Sequence, residues 1–216
     1  MSRSKIGDET DTSLFDFFKS RYGGEKSQTF LDARRCFIES MAAYSVFCYL
    51  LQVKDRHNGN IMISDQGHVI HIGGICILTA DFGFLFETSP GGNLGWEPDF
   101  KLTEEMLQIM GGRADSPHFQ YFTELCIKAF LAIRLCLCLL CRPYTDSILT
   151  LVTLMTDSGF PCFRGNSIRL LSSRLSANLS YRGAAQHMKK IIDNCFLSIR
   201  ARTYDVMQYV QNRIAY

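Results

Sequence analysis

Apolar positions along this chain recur mostly at helical spacing, and the pattern changes to short alternating runs only once, before residue 73. In "LFDFFKSRY", residues 14–22, the phenylalanines fall on a helical stripe behind a capping Thr12 or Ser13, and Gly23-Gly24 stops the run. A second cap near Ser27 to Thr29 opens "FLDARRCFIESMAAYSVFCYLLQV", whose last part is apolar on all sides. That pattern predicts a central core helix. It ends in the polar loop "KDRHNGN", residues 54–60, after which "IMI" and "HVIHI" flank "SDQG" as two short strands joined by a tight turn. From Thr103 onward the signals are helical, with breaks at Gly111-Gly112, Pro143, "DSGFPCFRGN" and "SANLS". The expected fold is mainly α with a small β-hairpin.

Composition narrows the class. The chain has 216 residues, 47% of them hydrophobic and 20% charged, which suits one large globular domain with a core. A net charge of +2, with no Lys/Arg block interleaved with aromatics, gives no footprint for nucleic acid. Nine cysteines and a polar N-terminus imply a reducing compartment. The run "LCLCLLC" holds Cys136, Cys138 and Cys141 but no histidine, so packing explains it better than zinc. Residues 41–53 are too few to span a bilayer, and residues 125–141 carry Lys128 and Arg134. No transmembrane segment is expected.

The loop after the core helix concentrates chemistry. Asp55, His57 and Asn60 lie within six residues, placing an acid/base pair and an amide oxygen between a buried helix and a strand. Taken alone, such a stretch is also what a solvated turn looks like. Asp81-Phe82-Gly83 follows the hairpin and supplies a second oxygen donor, so that a base, two magnesium ligands and a substrate loop occur in the order that phosphoryl transfer needs.

These motifs resemble the phosphatidylinositol 3- and 4-kinase family, whose catalytic loop reads D-R-H-x-x-N and whose activation loop begins Asp-Phe-Gly. "SMAAYS", "DRHNGNIM", "SPGGNLGWEPD", "KLTEEM", "IMGG", "TLVTLM", "PCFRG", "CFLS" and "RTYD" look like its type III alpha 4-kinase branch, from near Thr12 to Tyr216. The resemblance implies the C-terminal lobe of a protein-kinase-like α+β fold without its N-terminal lobe. A short helix and linker would occupy 1–28 and the lobe 29–216, with a catalytic loop at about 54–62 and an activation loop at about 81–101. It implies ATP with Mg2+ or Mn2+ as cofactors. Asp55 and His57 would be catalytic and Arg56 mainly structural; Asn60 and Asp81 would hold the metal, and Met62 and Ile72 would line the adenine pocket. Pro90, Gly91, Gly92, Asn93, Trp96 and Lys101 would form the substrate loop.

The implied reaction is phosphorylation of phosphatidylinositol to its 4-phosphate by a cytoplasmic protein peripheral on membranes, the plasma membrane above all, with regulatory protein subunits. No Lys or Arg occurs between Phe82 and Phe100, which suits an inositol headgroup bearing no extra phosphates. With one long helix and one short one before Asp55, the stretch expected to cover the phosphates is missing, so the chain alone is expected to be an inactive fragment. The competing reading is a non-catalytic lipid- or protein-binding module derived from the lobe.

Two segments interrupt the family pattern, Gly73 to Ala80 ("GGICILTA") and Leu135 to Arg142 ("LCLCLLCR"). Extended, the first would carry Asp81 about 26 Å away at about 3.3 Å per residue. A hairpin turn at Gly73-Gly74 would instead return it toward Asp65. The second shifts helical faces by about 80°. Both read as untypical translated segments, such as retained short introns.

The C-terminal stripe of Val206, Val210 and Ile214 is expected to pack into the core, with lipid contact as the alternative. His68, His71, His118 and His187 read as structural.

Overall fold

A computed structural model of the chain describes residues 13–53, 56–71, 98–135 and 167–196, together with the single positions 198, 206, 209 and 210. Helix α1, Leu14–Tyr22, begins where the Ser13 hydroxyl accepts the Asp16 N–H and ends at Gly23, whose φ of 89° few other residues adopt. It buries Leu14, Phe18 and Tyr22, one residue per turn. The Phe18 ring meets Phe30 and Phe37 edge-on at 6.2 and 5.6 Å. Helix α2, Gln28–Leu51, is capped by Ser27 and buries twelve of its 24 residues. It is the central helix that its apolar pattern predicts.

A 3-10 turn, Asn58–Asn60, leads into β1, Ile61–Ile63, which pairs antiparallel with β2, Val69–His71. The register sets Met62 opposite Ile70, and both side chains face outward, whereas Val69 and His71 are buried. Helix α3, Glu104–Ile109, is capped by Thr103, and the left-handed Gly111 and Gly112 break the chain before α4, Pro117–Leu135. Helices α5, Ser167–Leu175, and α6, Tyr181–Cys195, follow. The latter buries Ala184, Met188, Ile192 and Cys195 along one face.

Around α2 pack α1, α4, α5 and β2, with α6 against α4 and reaching α2 through His187 and Tyr49, and α3 against α1. The described residues are mainly helical with one two-stranded antiparallel sheet, as expected. No helix among them is long and apolar enough to cross a membrane. The C-terminal stripe departs from expectation: Val206 and Val210 are 45% and 66% exposed, so their spacing marks an apolar face turned outward and not a core contact.

Candidate functional site

The D-R-H-x-x-N stretch follows helix α2, half of whose residues are buried. Helix α2 ends at Gln52, which is left-handed at φ 50° and ψ 47° and only 3% exposed. Val53, directly after that turn, is buried as well. Arg56 is buried, which agrees with a structural role, and His57 precedes the 3-10 turn, whose closing bond runs from Asn60 N–H to His57 C=O at 3.0 Å. His57, Asn58 and Asn60 are half-buried and Gly59 is exposed. The turn therefore presents an imidazole and amides at the surface on a rigid base.

The hairpin that continues from Asn60 is held from two helices, α1 and α2. Tyr22 Oη donates to Ser64 C=O at 3.0 Å, and Arg21 meets Asp65 at 2.9 Å. From α2, the Ser40 hydroxyl oxygen accepts Val69 N–H at 2.9 Å while its own proton goes to Cys36 C=O at 2.7 Å. Gly67, at φ 91°, runs so close to α2 that an added Cβ would lie 2.7 Å from Ala33 O.

His71 closes the inner face of the sheet. Its ring stacks on Tyr44, with Nδ1 3.8 Å from Cys48 Sγ. Burial, and then the positive charges of Arg56 and Lys101, lower its pKa from 6.5 to about 4, so it is neutral near pH 7. Lys101, expected on the substrate loop, is 6% exposed and forms part of this buried cluster. The other histidines also hold the fold together: His118 Nε2 lies 3.0 Å from Arg34, and His187 Nε2 lies 2.9 Å from Tyr49 Oη.

Of the remaining expected site residues, Met62 stands on the outer face of the hairpin, 37% exposed. Asp55, Ile72, Asp81, Pro90, Gly91, Gly92, Asn93 and Trp96 lie outside the described residues, as do Gly73 to Ala80 and residues 136–142 of the second interruption. Asn60 offers an amide oxygen, a hard donor of the kind magnesium takes, at the edge of the turn. No group of three or more His, Cys, Asp or Glu among the described residues forms a metal centre by itself.

Residues without a motif complete the support. Arg174 on α5 bonds Tyr49 C=O at 2.9 Å and Asp99 at 2.5 Å. Arg134 on α4 donates to the carbonyls of Leu175, Ser176 and Leu179 at 2.7, 2.8 and 2.7 Å. Both arginines bond partners far away in sequence, so spacing gives no sign of them.

A sequence profile of the family phosphatidylinositol 3- and 4-kinase matches residues 1–165. The human phosphatidylinositol 4-kinase alpha-like protein P2 is 51% identical over 215 residues, all of this chain and 34% of that protein. Phosphatidylinositol 4-kinase stt4 of Schizosaccharomyces pombe is 46% identical across the whole chain, and STT4 of Saccharomyces cerevisiae 42%, the chain spanning 11% of each. The matches take in the loop, the hairpin and the helices that carry them, and the chain belongs to the phosphatidylinositol 3- and 4-kinase family.

Proposed function

We propose that the chain is the C-terminal catalytic lobe of a phosphatidylinositol 4-kinase, which moves the γ-phosphoryl of ATP to the inositol headgroup of phosphatidylinositol. One observation carries this reading: the His57–Asn60 turn sits between the buried end of α2 and a hairpin held from α1 and α2, which supports positional work for the described part of D-R-H-x-x-N, Arg56 to Asn60. In phosphoryl transfer, positioning and charge neutralisation supply most of the rate.

Asp55 and His57 would act on the attacking hydroxyl and the charge of the moving phosphoryl. Asn60 and Asp81 fit magnesium by donor type, an amide and a carboxylate oxygen, and the ion would neutralise nucleotide phosphates when bound. The outward Met62 would lie against the adenine, with Ile72 beside it. Pro90, Gly91, Gly92, Asn93, Trp96 and Lys101 belong to the segment that would meet the headgroup; its lack of Lys and Arg before Lys101 favours phosphatidylinositol over its phosphorylated forms. The division at 28/29, a cytoplasmic and membrane-peripheral location and regulatory subunits are parts of the same proposal. Names of the relatives support the substrate: three are phosphatidylinositol 4-kinases or alpha-like proteins.

The eight residues Gly73 to Ala80 between β2 and Asp-Phe-Gly favour a second reading, a lipid- or protein-binding module without turnover. Assay of phosphatidylinositol vesicles with ATP, using the protein extended by its upstream coding sequence, separates the two: the kinase reading expects 4-phosphate product that Asp55→Asn removes, and no product from the 216-residue chain alone. Vesicle binding without product supports the module.

A further inference from the structure

Arg174, near the end of α5, holds together two segments, the end of α2 and the stretch beginning at Pro98. Its Nη1 donates to the Tyr49 carbonyl at 2.9 Å and to Asp99 Oδ1 at 2.5 Å. With the Gln52 amide oxygen turned toward the guanidinium, that oxygen accepts from Nε at 2.7 Å and Nη2 at 3.3 Å. The Tyr49 ring completes the cradle 4.9 Å from the Arg174 Cζ.

Tyr49 and Gln52 end the helix that runs into the catalytic loop, and Asp99 closes the segment expected to meet the substrate. One rigid, planar cation therefore spans both. We propose that Arg174 is a positioning residue that sets the catalytic loop and the end of the substrate loop relative to one another; only the kinetic meaning of this rests on the proposed function.

Three observations support a role beyond stability. The Arg174 and Asp99 side chains are 22% and 25% exposed, so each gives up much of its hydration, and apolar packing commonly matches the stability of such a pair. Gln52 is a buried, left-handed non-glycine residue, a conformation that persists where neighbours over-determine it. Phe100 and Lys101, directly after Asp99, are 3% and 6% exposed, so displacement of Asp99 moves packed side chains and not a free strand.

The test is hydrogen exchange on the 216-residue chain, comparing wild type with Asp99→Asn, Arg174→Lys and Arg174→Met. Asp99→Asn is expected to raise exchange about fivefold or more at residues 98–102 and also at 53–60, leaving the amides of Phe122 and Ile192 unchanged. Arg174→Lys keeps the charge but not the fork and falls between wild type and Arg174→Met. Loosening confined to 98–102 overturns the proposal, and so does an equal rise at Phe122 and Ile192. Should Arg174→Met fail to fold, Asp99→Asn decides alone. In protein that turns over phosphatidylinositol, Arg174→Lys lowers kcat about tenfold with KM for ATP within twofold, the signature of lost alignment. A raised KM at unchanged kcat would contradict positioning. Absence of transfer by the protein extended by its upstream coding sequence counts against the proposed function, while the exchange pattern of the 216-residue chain still decides the role of Arg174.

Discussion

The imidazole of His71 lies flat on the phenol of Tyr44, ring centroids 4.2 Å apart and planes 9° from parallel. Tyr44 and Cys48 face it from α2, and the positive charges of Arg56 and Lys101 act on it from the catalytic loop and the segment before α3. Nothing here welcomes a second proton. With a folded pKa of about 4 against 6.5 when free, the unfolded chain binds a proton between those values and the folded chain does not. Stability is therefore full above pH 6.5 and falls as pH drops toward 4, by about 3 kcal/mol from this group. Urea unfolding of wild type and His71→Phe should show it: the variant keeps a flat ring on Tyr44 and loses that part of the pH slope. Equal slopes would remove His71 from the account.

Gly67 fixes how closely the hairpin lies on α2. An alanine there is strained at φ 91°, and its Cβ would fall 2.7 Å from Ala33 O and 3.0 Å from Ala33 Cα, atoms of a helix that cannot move aside cheaply. Gly67→Ala should cost about 2 kcal/mol or more in urea unfolding. A change under about 0.5 kcal/mol would mean the hairpin is not held to α2 this way.

The sequence shows some of this support and hides the rest for physical reasons. Ser13, Ser27 and Gly23 act within one turn of their own helices, and the strands are short apolar runs on either side of the turn Ser64 to Gly67, so local pattern suffices for them. The D-R-H-x-x-N stretch can be picked out because its residues are contiguous, and of these Asp55 lies outside the described residues. His118 and His187 find Arg34 and Tyr49 at separations of 84 and 138 residues, and Arg174 finds Asp99 at 75, distances over which no periodicity speaks. Val206 and Val210 show the converse: spacing reveals an apolar face and says nothing of what covers it.

Arg134 ties α4 to the end of α5, and through it to the Arg174 clasp. Its three carbonyl partners surround Ser176, a left-handed turn at φ 49° that starts the crossing to α6. Arg134→Met keeps most of the stem over Phe130 and removes every donor, leaving half-buried carbonyls without a charged partner. The expected loss is about 2–4 kcal/mol by urea unfolding, with faster exchange of α5 amides ahead of those in α2. Stability within about 0.5 kcal/mol of wild type would contradict it.

Arg134 is also the last residue before the second interruption, and its bonds to α5 are made without any residue of that segment. Among the described residues β2 likewise pairs with β1 over Val69 to His71 without any residue of the first segment. Transcripts are expected to read from Ile72 directly to Asp81 and from Arg134 directly to Pro143. A cDNA carrying both eight-residue segments would show them to be part of the protein, and Asp81 would then need another route to the metal.

The central claim is that the loop mounted on α2 transfers phosphate to phosphatidylinositol. It is tested most directly by transfer of radiolabelled phosphate from ATP to phosphatidylinositol vesicles, using the 216-residue chain and the protein extended by its upstream coding sequence. The extended protein is expected to yield the 4-phosphate, the chain alone to show no turnover, and Asp55→Asn and Asp81→Asn each to lower the rate about a thousandfold or more. Turnover by the extended protein that both substitutions leave unchanged would contradict the assignment.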